Sequence, residues 1–269
     1  MADTTIPAPI AELARAARRV VFFTGAGMSA ESGLDTFRDA GTGLWSHVDP
    51  EAMASFDAWR ADPAPIWPWY LERLRRARAA KPNAGHRAVA EWSRRLAATG
   101  GSGSVVTQNI DDLHERAGSA GVAHLHGRLD EFRCDHCAAP APEPVPPEQP
   151  TAHLMPPFCA ACGTGFVRPA VTWFGEALPA AAWAAAERAI GEADLVVVVG
   201  TSGVVFPAAG LPLQAMRAGV PVVELSPADT DLTPALTASW RTTAATGLPA
   251  LARRAIAALD AAGGAPAAD

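Results

Sequence analysis

Five short runs along the chain are apolar and contain valine: VVFFT at 20–24, SVVTQ at 104–108, VAHLH at 122–126, LVVVVG at 195–200 and VPVVEL at 220–225. Short, valine-rich runs bounded by glycine or polar residues read as strands, and the apolar 195–199 core reads as one buried on both faces. Apolar residues recur at helical spacing over roughly 8–18, 51–60, 64–79, 84–98, 179–190, 207–218 and 247–260. Helices separate nearly all of the strands. That alternation predicts an α/β fold, a Rossmann-like doubly wound parallel sheet with both faces covered.

Two segments interrupt the pattern. Residues 25–85 are long for a simple crossover and predict a helical insert at 51–79. Residues 129–170 hold the proline-rich stretch APEPVPPEQPTAHLMPP, a predicted loop. The sheet domain is then assembled from 1–50, 80–128 and 171–262, and the low-complexity end at 263–269 is expected to be disordered. Inside the helical insert lies IWPWYLERLRRAR, 66–78, with Tyr70 as the only tyrosine of the chain. On a helix Trp67, Tyr70, Leu71, Leu74 and Ala77 share one face, Arg73 borders it, and Arg76 points away. By itself this is either a solvated basic edge or a Tyr70–Arg73 pair aimed into a pocket.

Composition narrows the class. The 269 residues are 49% hydrophobic and 19% charged, enough for a sizeable core, and the net charge of -6 argues against a general nucleic-acid binder. The start of the chain has no charged region followed by an apolar run, and no stretch approaches the ~18 apolar residues of a membrane span. A cytoplasmic protein without membrane contact is expected. The four cysteines, Cys134, Cys137, Cys159 and Cys162, form two C-x-x-C pairs with 21 residues between them. Such pairs place four thiolates tetrahedrally around one structural Zn2+ with no open position for water. Two disulfides are the alternative, disfavoured in a reducing compartment. His136 is a competing ligand.

Four strand ends carry candidate chemistry. After the first strand, Gly25-x-Gly27-x-x-Ala30 fits a dinucleotide turn or an ordinary glycine turn; the acidic residue expected about 20 positions later is missing. After the second, Gln108, Asn109, Asp111 and Asp112 cluster where α/β folds place ligands, or else they cap a helix. His124 and His126 share a face at the end of the third, and either is a candidate base or a buried structural histidine. Gly200, Thr201 and Ser202 follow the most apolar strand, with Pro207 expected to open the next helix. His86 and His114 fall on helices and read as structural. The convergence of four such ends is harder to explain blandly than any one of them.

Together these residues resemble the sirtuins, the NAD-dependent protein lysine deacylases. The likeness runs from Val20 to Pro249, with GAGMSAESGLDTFR, PNAGH, TQNIDDLH, HGRLDEFRC, the paired C-x-x-C, RPAVTWFGE and GTSGVVFPAA in family order. The resemblance implies an NAD-binding domain with a small zinc-binding insertion. By motif, it implies NAD contacts at Gly25, Ala26, Gly27, Glu31, Thr36, Phe37, Arg38, Trp45, Gln108, Asn109, Ile110, Asp111, Gly200, Thr201, Ser202, Ser226 and Ala244. It implies His126 as catalytic base, with Asn109 and Asp111 at the nicotinamide–ribose pocket. Phe174, Gly175, Glu176 and Val204 are implied to clamp an acylated-lysine peptide.

The resemblance also implies that NAD is consumed, with nicotinamide leaving and the acyl group transferred to ADP-ribose. Ser226 departs from the usual asparagine, and Asp35 and Thr172 also differ from the common pattern. The desuccinylase-like subclass, bacterial and mitochondrial, carries Tyr-x-x-Arg before PNAGH, as Tyr70 and Arg73 stand here. That implies acidic acyl groups (succinyl, malonyl or glutaryl), with acetyl secondary. The expected partners are acylated-lysine proteins, with the enzyme a monomer. Rival readings are an NAD hydrolase or ADP-ribosyltransferase on the same fold, and a non-catalytic zinc-ribbon binder of nucleic acid.

Overall fold

The computed structural model is described over residues 5–34, 49 and 53–263. Element order is α1 (Ala8–Ala16), β1 (Arg19–Thr24), α2 (Gly27–Ala30), α3 (Phe56–Ala61), α4 (Pro63–Ala79), α5 (Ala84–Ala98), β2 (Ser102–Thr107), α6 (Leu113–Arg116) and β3 (Ala123–His124). There follow β4 (Gly127–Cys134), β5 (Pro140–Ala141), β6 (Val167–Val171), α7 (Ala180–Glu192), β7 (Leu195–Val199), α8 (Gly210–Arg217), β8 (Val222–Ser226), β9 (Ala238–Arg241) and α9 (Ala244–Gly263). No described helix is long and apolar enough to cross a membrane.

Six strands form one parallel sheet in the order β3-β2-β1-β7-β8-β9. From β1 the chain proceeds outward to β2 and β3 on one side, and later to β7, β8 and β9 on the other. The strand order therefore reverses between β1 and β7, and a crevice opens at their carboxyl ends. All five residues of β7 are buried, as expected for a central parallel strand. Phe22, Val197, Leu225 and Trp92 build the core on one face; Phe23, Val196, Val198 and Leu211 build that on the other.

The remaining strands form an antiparallel sheet, β5-β4-β6, which sequence periodicity did not reveal. β5 has only two residues, β6 is buried almost throughout with Arg168 inside its apolar run, and a register irregularity between Arg128 and Phe132 interrupts the alternation of β4. β9 was missed because it has only four residues. This small sheet and the helical insert share one core. Trp59, Trp67, Tyr70, Leu71 and Leu74 from the insert pack with Leu129, Phe132, Val167, Val171 and Trp173. Trp67 and Phe132 meet edge to face at 6.0 Å, and the Trp59 indole donates to Asp135 at 2.8 Å.

That shared core changes the reading of α4. Trp67, Tyr70, Leu71, Leu74 and Ala77 are buried as predicted, but so are Ile66, Pro68 and Trp69, so the helix is enclosed all round over residues 66–71. Arg76 is half-buried, not outward-pointing; Arg75 and Arg78 are the exposed pair. Two helix boundaries also move. Pro207 does not open α8; turn bonds from Ala209 N–H to Val205 and from Gly210 N–H to Pro207 fill the interval. The last helix starts at Ala244 and runs through Gly263, into the expected tail; residues 264–269 lie outside the described residues.

The PNAGH segment is a device for holding α5 against the first glycine turn. The Asn83 carbonyl accepts from Gly85 N–H at 2.8 Å and His86 N–H at 3.3 Å, and His86 Nδ1 accepts from Asn83 N–H, which completes a capping box. Such a cap contributes about 1 kcal/mol. The Asn83 amide also donates to Met28 O at 2.8 Å and Ser32 Oγ at 3.1 Å, tying α5 to α2. His86 in turn packs on His114 with ring centroids 4.8 Å apart. Burial lowers the His86 pKa from 6.5 to about 4 and the His114 pKa to about 3.

Both rings are therefore neutral in the folded state where the unfolded chain binds protons. Stability should rise with pH between about 3 and 6.5, the window set by those shifts, with the depressed His126 adding in the same direction. Thermal unfolding followed across that range should show the slope, and a His86→Gln/His114→Gln variant should flatten it.

Candidate functional site

Two glycine turns meet at the switch point. Gly25 N–H donates to Val199 O at 3.0 Å, and Gly27 N–H to Gly200 O at 2.8 Å. A Cβ on Gly27 would lie 2.7 Å from Gly200 Cα; Gly200 has φ +63, and a Cβ there would lie 2.4 Å from Met28 N. Only glycine fits either place. Ala26 caps α2, the short helix that follows the turn.

The segment after β2 joins the same place. Gln108 N–H donates to Thr24 O at 2.9 Å, and the Gln108 amide to Thr201 Oγ1 at 2.8 Å, bridging the two turns. The Asn109 amide donates to Ser29 Oγ at 3.1 Å, and Ser29 in turn to Asp111 Oδ2 at 2.9 Å. Asp111 Oδ1 accepts from Leu113 N–H at 3.1 Å, so Asp111 and not Asn109 serves the turn into α6. Burial pushes the Asp111 carboxyl up, against those hydrogen bonds. Ser29 links Asn109 to Asp111 and was not singled out by sequence reasoning; its place two residues after Gly27 was the available signal. Ile110 packs against the insert core, and its carbonyl accepts from Leu129 N–H at 2.9 Å.

The two histidines of HLHG hold consecutive carbonyls. His124 Nδ1 bonds Asn109 O at 2.9 Å and His126 Nδ1 bonds Gln108 O at 3.0 Å. A carbonyl only accepts, so Nδ1 carries the hydrogen, and Nε2 of a neutral His126 is left with a free lone pair. Burial lowers the His126 pKa, partly offset by the Gln108 carbonyl. His124 is anchored on its other side by Glu115 at 2.7 Å, and Arg128 reaches the same carboxylate at 2.5 Å. Burial would raise Glu115, but the His124 hydrogen bond and charge, with Arg128, hold it at about 2.

Other residues singled out in the sequence lie at varied distances from this centre. The Glu31 carboxylate accepts from Ala245 N–H at 2.7 Å and Thr243 Oγ1 at 2.9 Å, so it caps α9 beside Ala244. Ser202 O accepts from Asp231 N–H at 3.2 Å. Ser226, at the end of β8, spends its hydroxyl on Ala228 O at 2.7 Å. Asp35, Thr36, Phe37, Arg38 and Trp45 lie outside the described residues.

Phe174 is 48% exposed and Val204 42%, and nearby Phe206 is 65% exposed, so three large apolar side chains face outward from the two segments proposed to clamp a peptide. Gly175 sits at φ +90 with open space where a Cβ would be. Glu176 instead faces inward. Its oxygens bind Arg168 at 2.6 and 2.8 Å, and one also accepts from Trp173 N–H at 2.9 Å.

Tyr70 and Arg73 are joined through Trp69. Its ring meets Tyr70 edge to face at 4.7 Å, and the Arg73 guanidinium stacks 4.7 Å from its centroid. The Tyr70 oxygen accepts from the Trp173 indole at 2.7 Å. Burial pushes its pKa up to about 12, against the opposing Arg73 charge, so the phenol keeps its proton.

The four thiols converge to within 4.8 Å of one another, and the exposed His136 is not among them. Cys134 and Cys162 sulfurs are 3.7 Å apart, and those of Cys137 and Cys159 3.8 Å. The edge of a tetrahedron with Zn–S bonds of about 2.3 Å is about 3.8 Å, whereas a disulfide would need about 2.05 Å. Backbone N–H groups of His136, Cys137, Ala161 and Gly165 point at the sulfurs, as thiolate ligands require. The set fits one structural zinc ion.

The comparisons with known proteins agree with this geometry. The Sir2 family model matches residues 25–207. The chain belongs to the Sir2 family. It is 57% identical to "NAD-dependent protein deacylase 2" of Corynebacterium efficiens, over 90% of this chain and 94% of that one. It is 47% identical to the "NAD-dependent protein deacylase" of Mycobacterium tuberculosis, over 88% and 97%. Among solved structures, a Sir2 homologue in complex with NAD superposes with a TM-score of 0.84 at 39% identity, covering 95% of this chain and 96% of that one. A mutant Sir2 homologue in complex with 2'-O-acetyl ADP ribose gives 0.84 and 39%, covering 94% and 98%.

As a Sir2 chain with a closed four-thiolate site, the protein should carry one zinc per molecule by elemental analysis. Chelation should lower its thermal midpoint and abolish turnover by loosening the small sheet, with both restored on adding zinc back. A metal-free protein of unchanged midpoint would contradict the structural role.

Proposed function

We propose that this Sir2 family enzyme, an NAD-dependent protein-lysine deacylase, prefers lysines carrying acidic acyl groups over acetyl-lysine. The observation that carries the preference is the Tyr70–Trp69–Arg73 cluster. It gathers a guanidinium and a neutral phenol O–H around one indole in the middle of the insert helix. Guanidinium forks match carboxylates and a phenol adds one donor, whereas an acetyl group offers neither a charge nor an acceptor at that end.

The assigned roles follow the contacts. The glycine turns and Thr201 would cradle the pyrophosphate, and Asn109 and Asp111 would hold the nicotinamide–ribose end, with Ser29 keeping both in register. NAD supplies the ribose carbon that accepts the acyl oxygen as nicotinamide departs. His126 takes the ribose hydroxyl proton at Nε2, the nitrogen left free when Nδ1–H is committed to Gln108 O. Phe174, Val204 and Phe206 offer the apolar edges between which an extended peptide would lie. We read the helical insert at 51–79 and the zinc module at 129–170 as additions to the parallel-sheet domain, a reading supported by the core that the insert and the small sheet share. An NAD hydrolase would use the same centre without the exposed Phe174 and Val204 edges.

His126→Ala should reduce deacylation about 10²-fold or more with the circular dichroism spectrum unchanged. In the parent enzyme, kcat/KM should fall only as pH drops below 6.5, because burial lowers the His126 pKa. An acid limb centred above that value would remove the assignment. Arg73→Met should cut kcat/KM for a succinyl-lysine peptide by about 30-fold and leave an acetyl-lysine peptide within about threefold, the range for a charge-assisted hydrogen bond. Equal losses on both peptides would refute the preference.

A further inference from the structure

RPAVTWFGE holds a buried polar chain that ends on Tyr70. Arg168 is 1% exposed, an unusual position for a guanidinium. Two of its nitrogens bind the Glu176 carboxylate at 2.6 and 2.8 Å, and one also reaches Val171 O at 2.9 Å. Its face stacks on the Trp173 ring with 3.4 Å from Cζ to the centroid. Glu176 also accepts from Trp173 N–H at 2.9 Å. Trp173 is thus held by backbone and by ring, and Trp59 covers it further at 5.1 Å. Its one remaining polar atom, the indole N–H, points at the Tyr70 oxygen, 2.7 Å away.

We propose that Arg168 and Trp173 are positioning residues for acyl-group selection: locked by Arg168 and Glu176, the Trp173 indole occupies the Tyr70 oxygen as its donor and turns the phenolic hydrogen toward the acyl end. The proposal rests on the acidic-acyl reading of Tyr70 and Arg73. It adds a physical reason why the hydroxyl acts as donor. With an N–H already directed at its oxygen, the phenol presents its hydrogen to the carboxylate and does not turn a lone pair toward it.

The test uses the fact that Tyr70 is the only tyrosine in the chain. Protein labelled with 13Cζ-tyrosine gives a single resonance that reports the hydrogen bonding of this one phenol. Trp173→Phe keeps a ring but removes the donor. Arg168→Lys keeps the charge but loses the flat, forked group, and serves as the milder variant. The resonance should move in both, and further in Trp173→Phe. With a succinyl-lysine peptide, Trp173→Phe should raise KM about tenfold with kcat within about twofold, and KM for the acetyl-lysine peptide should stay within about twofold.

An unmoved resonance in Trp173→Phe, or equal KM changes for the two peptides, would overturn the proposal. If the parent enzyme shows no succinyl preference at all, the acyl reading fails, and with it the selection role. The resonance then separately decides the Arg168–Trp173–Tyr70 linkage, which a shift in both variants would uphold and its absence would sink.

Discussion

The site depends on the distance between two pieces of backbone. Gly27 and Gly200 approach so closely that a single added carbon on either would overlap the other loop. That approach lets N–H groups of the first turn bond to carbonyls at the end of β7. It leaves a seam lined by peptide groups, not side chains, at the point where the sheet reverses direction. Gln108 spans the seam, Asn109 and Asp111 follow from the same turn, and His126 is hung from Gln108. If the two turns were moved apart by a side chain, each of these groups would lose its reference point.

The parallel sheet was readable because buried parallel strands leave an unmistakable mark, a short apolar run that ends on glycine or on polar residues. The centre was readable for a related reason: each of its residues stands within a few positions of such a strand end. What the sequence hid were features that depend on partners distant along the chain. β4 and β6 have little periodicity of their own, and their pairing is visible only once Phe132 and Val167 meet the tryptophans of the insert. Glu31 illustrates a subtler case. In the folded chain its carboxylate caps a helix more than 200 residues later. Ser226, at the end of β8, gives its hydroxyl to the carbonyl of Ala228 in the turn that follows. Neither arrangement leaves a local signal.

Asp135 shows how the zinc knuckles are coupled to the rest of the molecule. It follows Cys134 directly, accepts from Phe166 N–H with one oxygen and from the Trp59 indole with the other. The metal therefore fixes more than a loop. Through Asp135 it sets the position of the first insert helix, and through the three-stranded sheet it sets the surface against which α4 is packed. A cluster of thiolates with no chemical role becomes a condition for placing Tyr70.

The shared core also limits how this protein could be re-engineered. The proposed acyl selectivity rests on two residues of one helix, which suggests a property portable to another scaffold. Yet α4 is enclosed all round over residues 66–71, and many of its neighbours come from segments that lie roughly 50 to 100 residues away in the chain. A graft of that helix alone would arrive without Phe132, Trp173 or Arg168 and would face mismatched volumes on every side. The transferable unit is the insert together with the small sheet, two discontinuous segments that have to be exchanged as one.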